Sequence, residues 1–290
     1  RDASPHEKRL YHWTQRFRSY YSTLFYGYST AEIRRVAKEE LGLPYVPLMS
    51  PNFQASPTMC GNMWDGALNL FEWARSGTTG CLTHEDWIND PYRVAFGLRL
   101  LKAAGRKHNQ DVAALNVADR GLKQRLLMDL ASESRGILSY TYGPRRIIGP
   151  AWADSESTVR MWAELLRWIA KCEPDLLAAR MRPADVAILI ANTSELNMRY
   201  LTTSFYSRSR ALRDRYDIFA ALMDAQVPVE IVGEEEVLED NALARYKVLY
   251  VADPHVDSRA QKKIKEWVAA GGVLWASHAG LMRQEYDEPS

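Results

Sequence analysis

The feature that most constrains this chain is a regular alternation of helix-like and extended apolar segments. In the first part of the chain, short apolar runs at 45–49, 80–83, 111–115 and 136–140 each follow a stretch with apolar residues at helical spacing. Strands that alternate with helices pair in parallel, because each connecting helix returns the chain to the same end of the sheet. The sequence therefore predicts a parallel α/β sheet.

Polar or aromatic residues follow the carboxyl end of each predicted strand. Asn52 follows the first strand, Glu85, Asp86 and Trp87 the second, and Asn116 the third. The remaining candidates at these ends are Asp119, after the third strand, and Tyr142 and Arg145, after the fourth. In a (β/α)₈ barrel the chemistry lies at the carboxyl ends of the strands. Four units supply half of such a barrel, so we expect another segment or chain to complete it.

A second α/β series begins after Arg182-Pro183, where the proline disfavours helix at the preceding residue. Its predicted strands are 186–190, 229–232, 247–251 and 273–276, with helices at 208–225 and 258–270. We therefore divide the chain into residues 1–182 and 183–290. No cysteine follows Cys172, as amidotransferase chemistry would require, and no glycine-rich phosphate loop is present. The second part is therefore expected to hold no cofactor and to serve as a surface for self-association.

Composition excludes several classes of partner. The chain has 37 basic and 36 acidic side chains, so no net field attracts nucleic acid or an anionic membrane. No apolar run approaches the roughly 18 residues that span a bilayer. The three cysteines form no paired motif, which predicts neither a disulfide framework nor a metal site and favours a reducing compartment. The cytoplasm is the default location, although a segment before Arg1 can carry a signal peptide.

The order of these segments resembles the β-galactosidases of glycoside hydrolase family forty-two. The resemblance rests on residues 16–53, where a helix with Phe17 and Arg18 leads to a strand ending at Asn52, on 64–87 and 136–145, and on 247–274. It implies the C-terminal half of a (β/α)₈ TIM barrel, followed by a flavodoxin-like, class I amidotransferase-like domain that mediates trimerisation. It also implies a carbohydrate substrate, hydrolysis of glycosidic bonds, and no metal or cofactor.

The resemblance places the acid/base glutamate on the fourth barrel strand, which would precede Arg1, and the nucleophilic glutamate at the end of the seventh. Asn116 occupies that second position, and Asp119 is the nearest carboxylate. An amide cannot act as this nucleophile. We therefore take Glu85 and Asp119 as the candidate catalytic carboxylates. The candidate sugar-binding residues are Asn52, Asp86, Trp87, Asn116, Tyr142 and Arg145.

Each acidic candidate has a structural alternative. Glu85 and Asp86 are adjacent on a strand, so only one of them can face the barrel centre, and either can instead cap a helix or pair with arginine. Asp119 can form a loop ion pair with Arg120. Three interpretations follow: a β-galactosidase-like enzyme, inactive as this chain alone; a non-catalytic carbohydrate-binding or assembly relative; and an unrelated enzyme with its site around Glu85.

Overall fold

The computed structural model describes residues 3–43, 48–56, 59–61, 69–85, 90–117, 121–140, 156–201, 213–278 and 280–290. Five strands of the first series form one sheet in the order β2-β1-β3-β4-β5. They are β1 (Met49–Ser56), β2 (Met59–Gly61), β3 (Cys81–Glu85), β4 (Asp111–Val117) and β5 (Gly136–Tyr140). Strands β1, β3, β4 and β5 run parallel, and β2 pairs antiparallel with β1. The parallel arrangement predicted from the alternation is confirmed.

The helices of the first series lie between these strands and around them. They are α1 (Pro5–Glu39), α2 (Leu70–Arg75), α3 (Pro91–Gly105), α4 (Leu122–Ala131) and α5 (Glu156–Ala178). Local capping fixes where two of them begin. Ser4 and Glu7 form a reciprocal capping box at the start of α1, with Pro5 in the first turn. The carboxylate of Asp90 accepts hydrogen bonds from the first backbone amides of α3.

The second series forms a separate sheet of four parallel strands in the order β7-β6-β8-β9. Its strands are β6 (Val186–Ile190), β7 (Val229–Gly233), β8 (Val248–Val251) and β9 (Val273–Ala276). Its helices are α6 (Asn192–Leu201), α7 (Arg213–Asp224), α8 (Glu234–Glu239) and α9 (Ser258–Ala269). After β6 the chain forms β7 on one side of it, and then crosses over to form β8 and β9 on the other side. This change of direction is typical of doubly wound sheets.

Several predicted element boundaries differ from the structure. Helix α1 begins at Pro5, well before the helix with Phe17 and Arg18 and the helical spacing over 29–40 that the sequence indicated. Helix α5 continues through Pro174 to Ala178, whereas the sequence predicted that Pro174 would break or kink it. A proline removes one backbone hydrogen bond of a helix, and a long helix can bend and continue past it. Helices α6 and α8 were not predicted at all.

One apolar core connects the two sheets. Helix α3 lies between them: its residues pack on Leu82, Val112 and Ala114 of the first sheet and, on the other side, in the same cluster as Ile188 and Ile231. Phe96 of α3 meets Phe219 of α7 edge to face, with ring centroids 5.3 Å apart. Such aromatic pairs add about 0.5–1.5 kcal/mol beyond the area they bury. The two series therefore share one apolar core through α3.

The opposite face of the second sheet has a core of its own. Ala187 and Leu189 of β6 and Leu249 of β8 pack there against Val237 of α8 and Ile264 of α9. Because successive residues of a strand point to opposite faces, β6 contributes alternately to this core and to the one it shares with α3. Among the described residues, no helix is both long enough and apolar enough to cross a bilayer.

Candidate functional site at the carboxyl edge of the first sheet

Glu85 is the last residue of β3, at the edge where parallel strands end. The register pairs Glu85 with Leu115 of β4, and Leu115 in turn with Leu138 of β5. Leu82 and Val112, each three residues earlier on their strands and so on the opposite face, are buried against the helix layer. Glu85 therefore lies on the sheet face turned away from the helices, where it is partly exposed. In an α/β barrel this is the inner face, at the end that carries the chemistry.

Asn116 lies on the other face of the sheet. It follows Val112 and Ala114 in the alternation of β4, and like them it is buried on the helix side. Its Nδ2 donates a hydrogen bond of 2.7 Å to Oδ2 of Asp129 on α4. The structure thus does not bring Glu85 and Asn116 together, since the sheet separates their side chains.

Asp129 and Arg125 are buried charged residues behind the end of β4, and neither was predicted from the sequence as part of the site. Burial raises the pKa of the Asp129 carboxyl to about 7, although the hydrogen bond from Asn116 and the charge of Arg125 both lower it. The nitrogens of the Arg125 guanidinium have no hydrogen-bond partner among the described residues. Leu122, Arg125, Leu126 and Asp129 share the buried face of α4. Charged residues at apolar-face positions were the signal available in the sequence.

The remaining predicted site residues fall into two groups. The backbone of Asn52 pairs with Thr83 of β3, two residues before Glu85, so it belongs to the same sheet edge. Thr83 is anchored to β1, because its Oγ1 donates to the Ser50 carbonyl at 3.1 Å and its amide donates to the Ser50 hydroxyl at 2.9 Å. The candidates that lie outside the described residues are Asp86, Trp87, Asp119, Tyr142 and Arg145.

A second polar cluster fills the carboxyl edge of the second sheet. Arg215 of α7 is fully buried and pairs with Asp253, which follows β8, and with Glu195 of α6 at 2.6 Å. Glu234, directly after β7, accepts bonds from the amide and hydroxyl of Thr193. Burial, and then the neighbouring Glu235, raise the pKa of Glu234 to about 8. These groups satisfy one another, so the cluster holds the strand ends together.

His255 lines a cavity of about 200 Å³ between α1, α6 and the last residues of the chain. Its Nε2 lies 2.9 Å from Oδ1 of Asp287, and Lys8 of α1 pairs with the same carboxylate at 3.0 Å. Burial lowers the pKa of His255, although Asp287 raises it. The contacts fix the C-terminal segment to α1 and α6. Within the described ranges, no three His, Cys, Asp or Glu side chains converge as ligands of a metal ion.

Comparison with known proteins gives matches only among solved structures. No protein-family model matches the sequence, and no curated protein does. The chain is similar to a catalytic mutant of a GH42 beta-galactosidase from G. stearothermophilus, with 18% identity, 95% of this chain and 42% of that chain covered, and a TM-score of 0.71. A cold-adapted beta-galactosidase from Rahnella sp. R3 gives 17% identity, coverage of 95% and 42%, and a TM-score of 0.63.

An exo-carrageenase of GH42 from Bacteroides ovatus is also similar, at 11% identity, with 97% of this chain and 40% of that chain covered and a TM-score of 0.67. At such low identity these likenesses concern the fold. The chain has an α/β fold with parallel sheets that resembles part of a GH42 barrel, and it spans about two fifths of the length of these structures.

Proposed function

We propose that the chain belongs to a carbohydrate-active enzyme of the β-galactosidase type, which hydrolyses glycosidic bonds. The observation that carries the proposal is the position of Glu85, a carboxylate at the carboxyl end of a parallel strand and on the face away from the helix layer. In α/β barrels this position supplies catalytic and substrate-binding groups. The structural similarity to GH42 β-galactosidases along nearly the whole chain supports the same assignment.

In this proposal Glu85 and Asp119 are the carboxyl groups that act on the glycosidic bond. A retaining hydrolase needs two such groups about 5–5.5 Å apart, one protonated and one ionised. Asp119 follows Leu115, the strand neighbour of Glu85, by four residues, so the chain between them is short enough to bring the carboxylates to one edge. Sugar hydroxyls and ring faces are assigned to Asn52, Asp86, Trp87, Tyr142 and Arg145. The prediction that Asn116 also binds sugar is wrong, because its side chain is buried on the helix side of the sheet and bonded to Asp129.

The second sheet is proposed to be a flavodoxin-like domain within residues 183–290 that mediates trimerisation. Its four parallel strands have the order of the first four flavodoxin strands, with β6 in the position of the first. In the described part of its carboxyl edge, ion pairs around Arg215 fill the space, and the sequence has no cysteine or phosphate loop there, which favours assembly over chemistry. Light scattering on the full-length protein tests this: a mass of three chains is expected, and a monomer contradicts it.

A non-catalytic carbohydrate-binding relative is the second candidate, and a specific observation favours it. Asn116 stands where the family's nucleophile is expected, yet its side chain is fully buried and bonded to Asp129. A group held in this way cannot reach a sugar carbon. If Asp119 does not replace it, the edge around Glu85 can bind a sugar without cleaving it.

Sugar binding tests both candidates at once. In the full-length protein, Glu85→Gln should weaken the affinity for a galactoside at least tenfold, while the melting temperature stays nearly unchanged, because Glu85 is partly exposed at a strand end. Titration calorimetry measures the affinity. Glu164→Gln, at an exposed position of α5, is the matched control and should bind as the wild type does. Normal binding by Glu85→Gln together with a large loss of stability would show that Glu85 is structural.

A further inference from the structure

A groove lined by cationic side chains lies at the amino end of the first sheet, opposite the edge with Glu85. It consists of two adjoining cavities of about 270 and 350 Å³, which share Arg99, Met181, Val229 and Glu230. It runs between the second half of α3, the segment before β6 and the start of β7. Its cationic side chains are those of Arg99, Lys102, Arg106, Arg180 and Arg182, and its carboxylates are those of Glu133 and Glu230.

Two of the five cations have carboxylate partners. Lys102 pairs with Glu133. Arg106 pairs with Glu230 at 3.1 Å and also with Glu236 of α8. The two carboxylates of the groove are therefore already engaged, and Glu230 additionally accepts a hydrogen bond of 2.8 Å from the hydroxyl of Tyr246.

The other three cations have no carboxylate partner at ion-pair distance among the described residues, although the guanidinium of Arg99 lies over the ring of Phe219. Arg99 donates to the Val229 carbonyl at 2.8 Å, and its buried Nε has no described partner. Arg180 donates to the carbonyls of Leu177 and Ala179, each at 2.7 Å. Carbonyl oxygens satisfy N–H groups but leave the charge of the guanidinium uncompensated. The groove thus carries a surplus of positive charge.

The positive charge of the groove also affects the pKa of Lys102. Burial and, after it, the charges of Arg135 and Arg180 together lower its pKa to about 8. A lysine beside a carboxylate is normally stabilised in its charged form, and the charge of Arg180 in the same groove opposes that effect. An anion in the groove would remove this repulsion.

We propose that this groove binds a small oxyanion of the phosphate or sulfate class, either free or as an ester of a sugar or another small molecule. Guanidinium groups present paired N–H donors that match the oxygens of such anions. The partly buried Arg99 supplies a fixed donor, and the exposed Arg180 and Arg182 can close over the ligand from the rim. The ligand would join α3 to the segment leading into β6 and so connect the two sheets.

Titration calorimetry of the full chain with inorganic phosphate tests the proposal, with chloride adjusted to keep ionic strength constant. The double variant Arg180→Gln/Arg182→Gln should weaken phosphate binding at least tenfold. Both residues are exposed, so folding should be unaffected. Arg34→Gln, at an exposed position of α1, removes one charge elsewhere and should leave the affinity unchanged. Arg99→Met is a second groove variant, expected to lose binding while keeping the apolar stem.

Sulfate and glucose 6-phosphate identify the source of the anion. Binding of glucose 6-phosphate tighter than that of phosphate supports an esterified ligand, and equal binding supports a free oxyanion. The proposal is overturned if the wild type binds neither phosphate nor sulfate nor glucose 6-phosphate at 10 mM, a concentration about ten times that of weak metabolite sites. It is equally overturned if the groove variants and Arg34→Gln bind phosphate alike.

Discussion

At the scale of single residues, Asp129 makes the stability of the protein depend on pH. Its pKa is about 7 in the fold, because burial disfavours the charged form, and near 3.9 in an unfolded chain. Between these values the unfolded state has lost the proton and the folded state keeps it. The contribution of Asp129 to the free energy of unfolding is therefore fully present below about pH 4 and is lost as the pH rises towards 7.

The variant Asp129→Asn should remove this dependence. Its amide oxygen can still accept the bond from Asn116, and it has no charge to bury. We expect the variant to be more stable than the wild type at pH 8 by a few kcal/mol and nearly equal to it at pH 4. Urea unfolding at pH 4, 6 and 8 measures the difference. Parallel stability curves for the two proteins would mean that Asp129 is ionised throughout.

Also at the scale of single residues, the sequence predicts that Asn116 lies at a strand end but does not predict on which face of the sheet it lies. Its place at a strand end followed from the apolar run before it. In a parallel sheet covered by helices, however, both faces of a strand are apolar, so alternation does not reveal which face is inner. Only the packing of Val112 and Ala114 on α3 decides that Asn116 is on the helix side.

At the scale of secondary-structure elements, the contact between α2 and β7 requires a glycine, because a larger residue at position 233 would clash with Phe71. A Cβ at Gly233 would lie 2.4 Å from Cε1 of Phe71, whose ring is buried in the core shared by the sheets. Gly233→Ala should therefore cost about 1–3 kcal/mol, since the ring has to move within a packed core. Denaturant unfolding measures the loss.

Gly27→Ala on α1 is the matched control for this substitution. Its Cβ would meet Thr78 at 3.4 Å, an ordinary contact, and alanine is favoured over glycine within a helix by up to about 1 kcal/mol. The two variants should thus shift stability in opposite directions. A neutral or stabilising effect of Gly233→Ala would show that α2 does not pack against β7 as closely as described.

The elements that the sequence predicted well have strong local signals. The strands of the second sheet are runs of valine, isoleucine and leucine between turn residues, and β6 and β9 match their predicted bounds. Helix α6 was missed because Asn192, Thr193 and Ser194 at its start favour turns when read alone. The full length of α1 was not predicted, because aromatic residues occur on its exposed side as well, which hides the helical periodicity.

At the scale of the whole molecule, α1 exposes a row of large apolar side chains. Trp13, Phe17, Tyr21 and Tyr28 are 59, 63, 59 and 72% exposed. A contiguous row of exposed large apolar side chains is typical of a surface that contacts another protein molecule. We therefore expect the 290-residue chain to self-associate in dilute solution, as half of a barrel with open sheet edges would.

Light scattering measures this association. The double variant Phe17→Glu/Tyr21→Glu should reduce the average mass, because it places two charges within the apolar row. Lys38→Glu, at an exposed position near the end of the same helix, is the control and should associate as the wild type does. A monomeric wild-type chain that melts cooperatively would contradict the half-barrel interpretation.

The proposed enzymatic function is tested most directly by turnover of an aryl β-galactoside by the full-length protein. We expect release of the aryl group, at a rate reduced at least a hundredfold by Glu85→Gln and unchanged by Glu164→Gln. Loss of a catalytic carboxyl removes a group that acts in the transition state, whereas the control changes only an exposed helical position. Galactoside binding without any turnover by the wild type would contradict the enzymatic assignment and favour the non-catalytic relative.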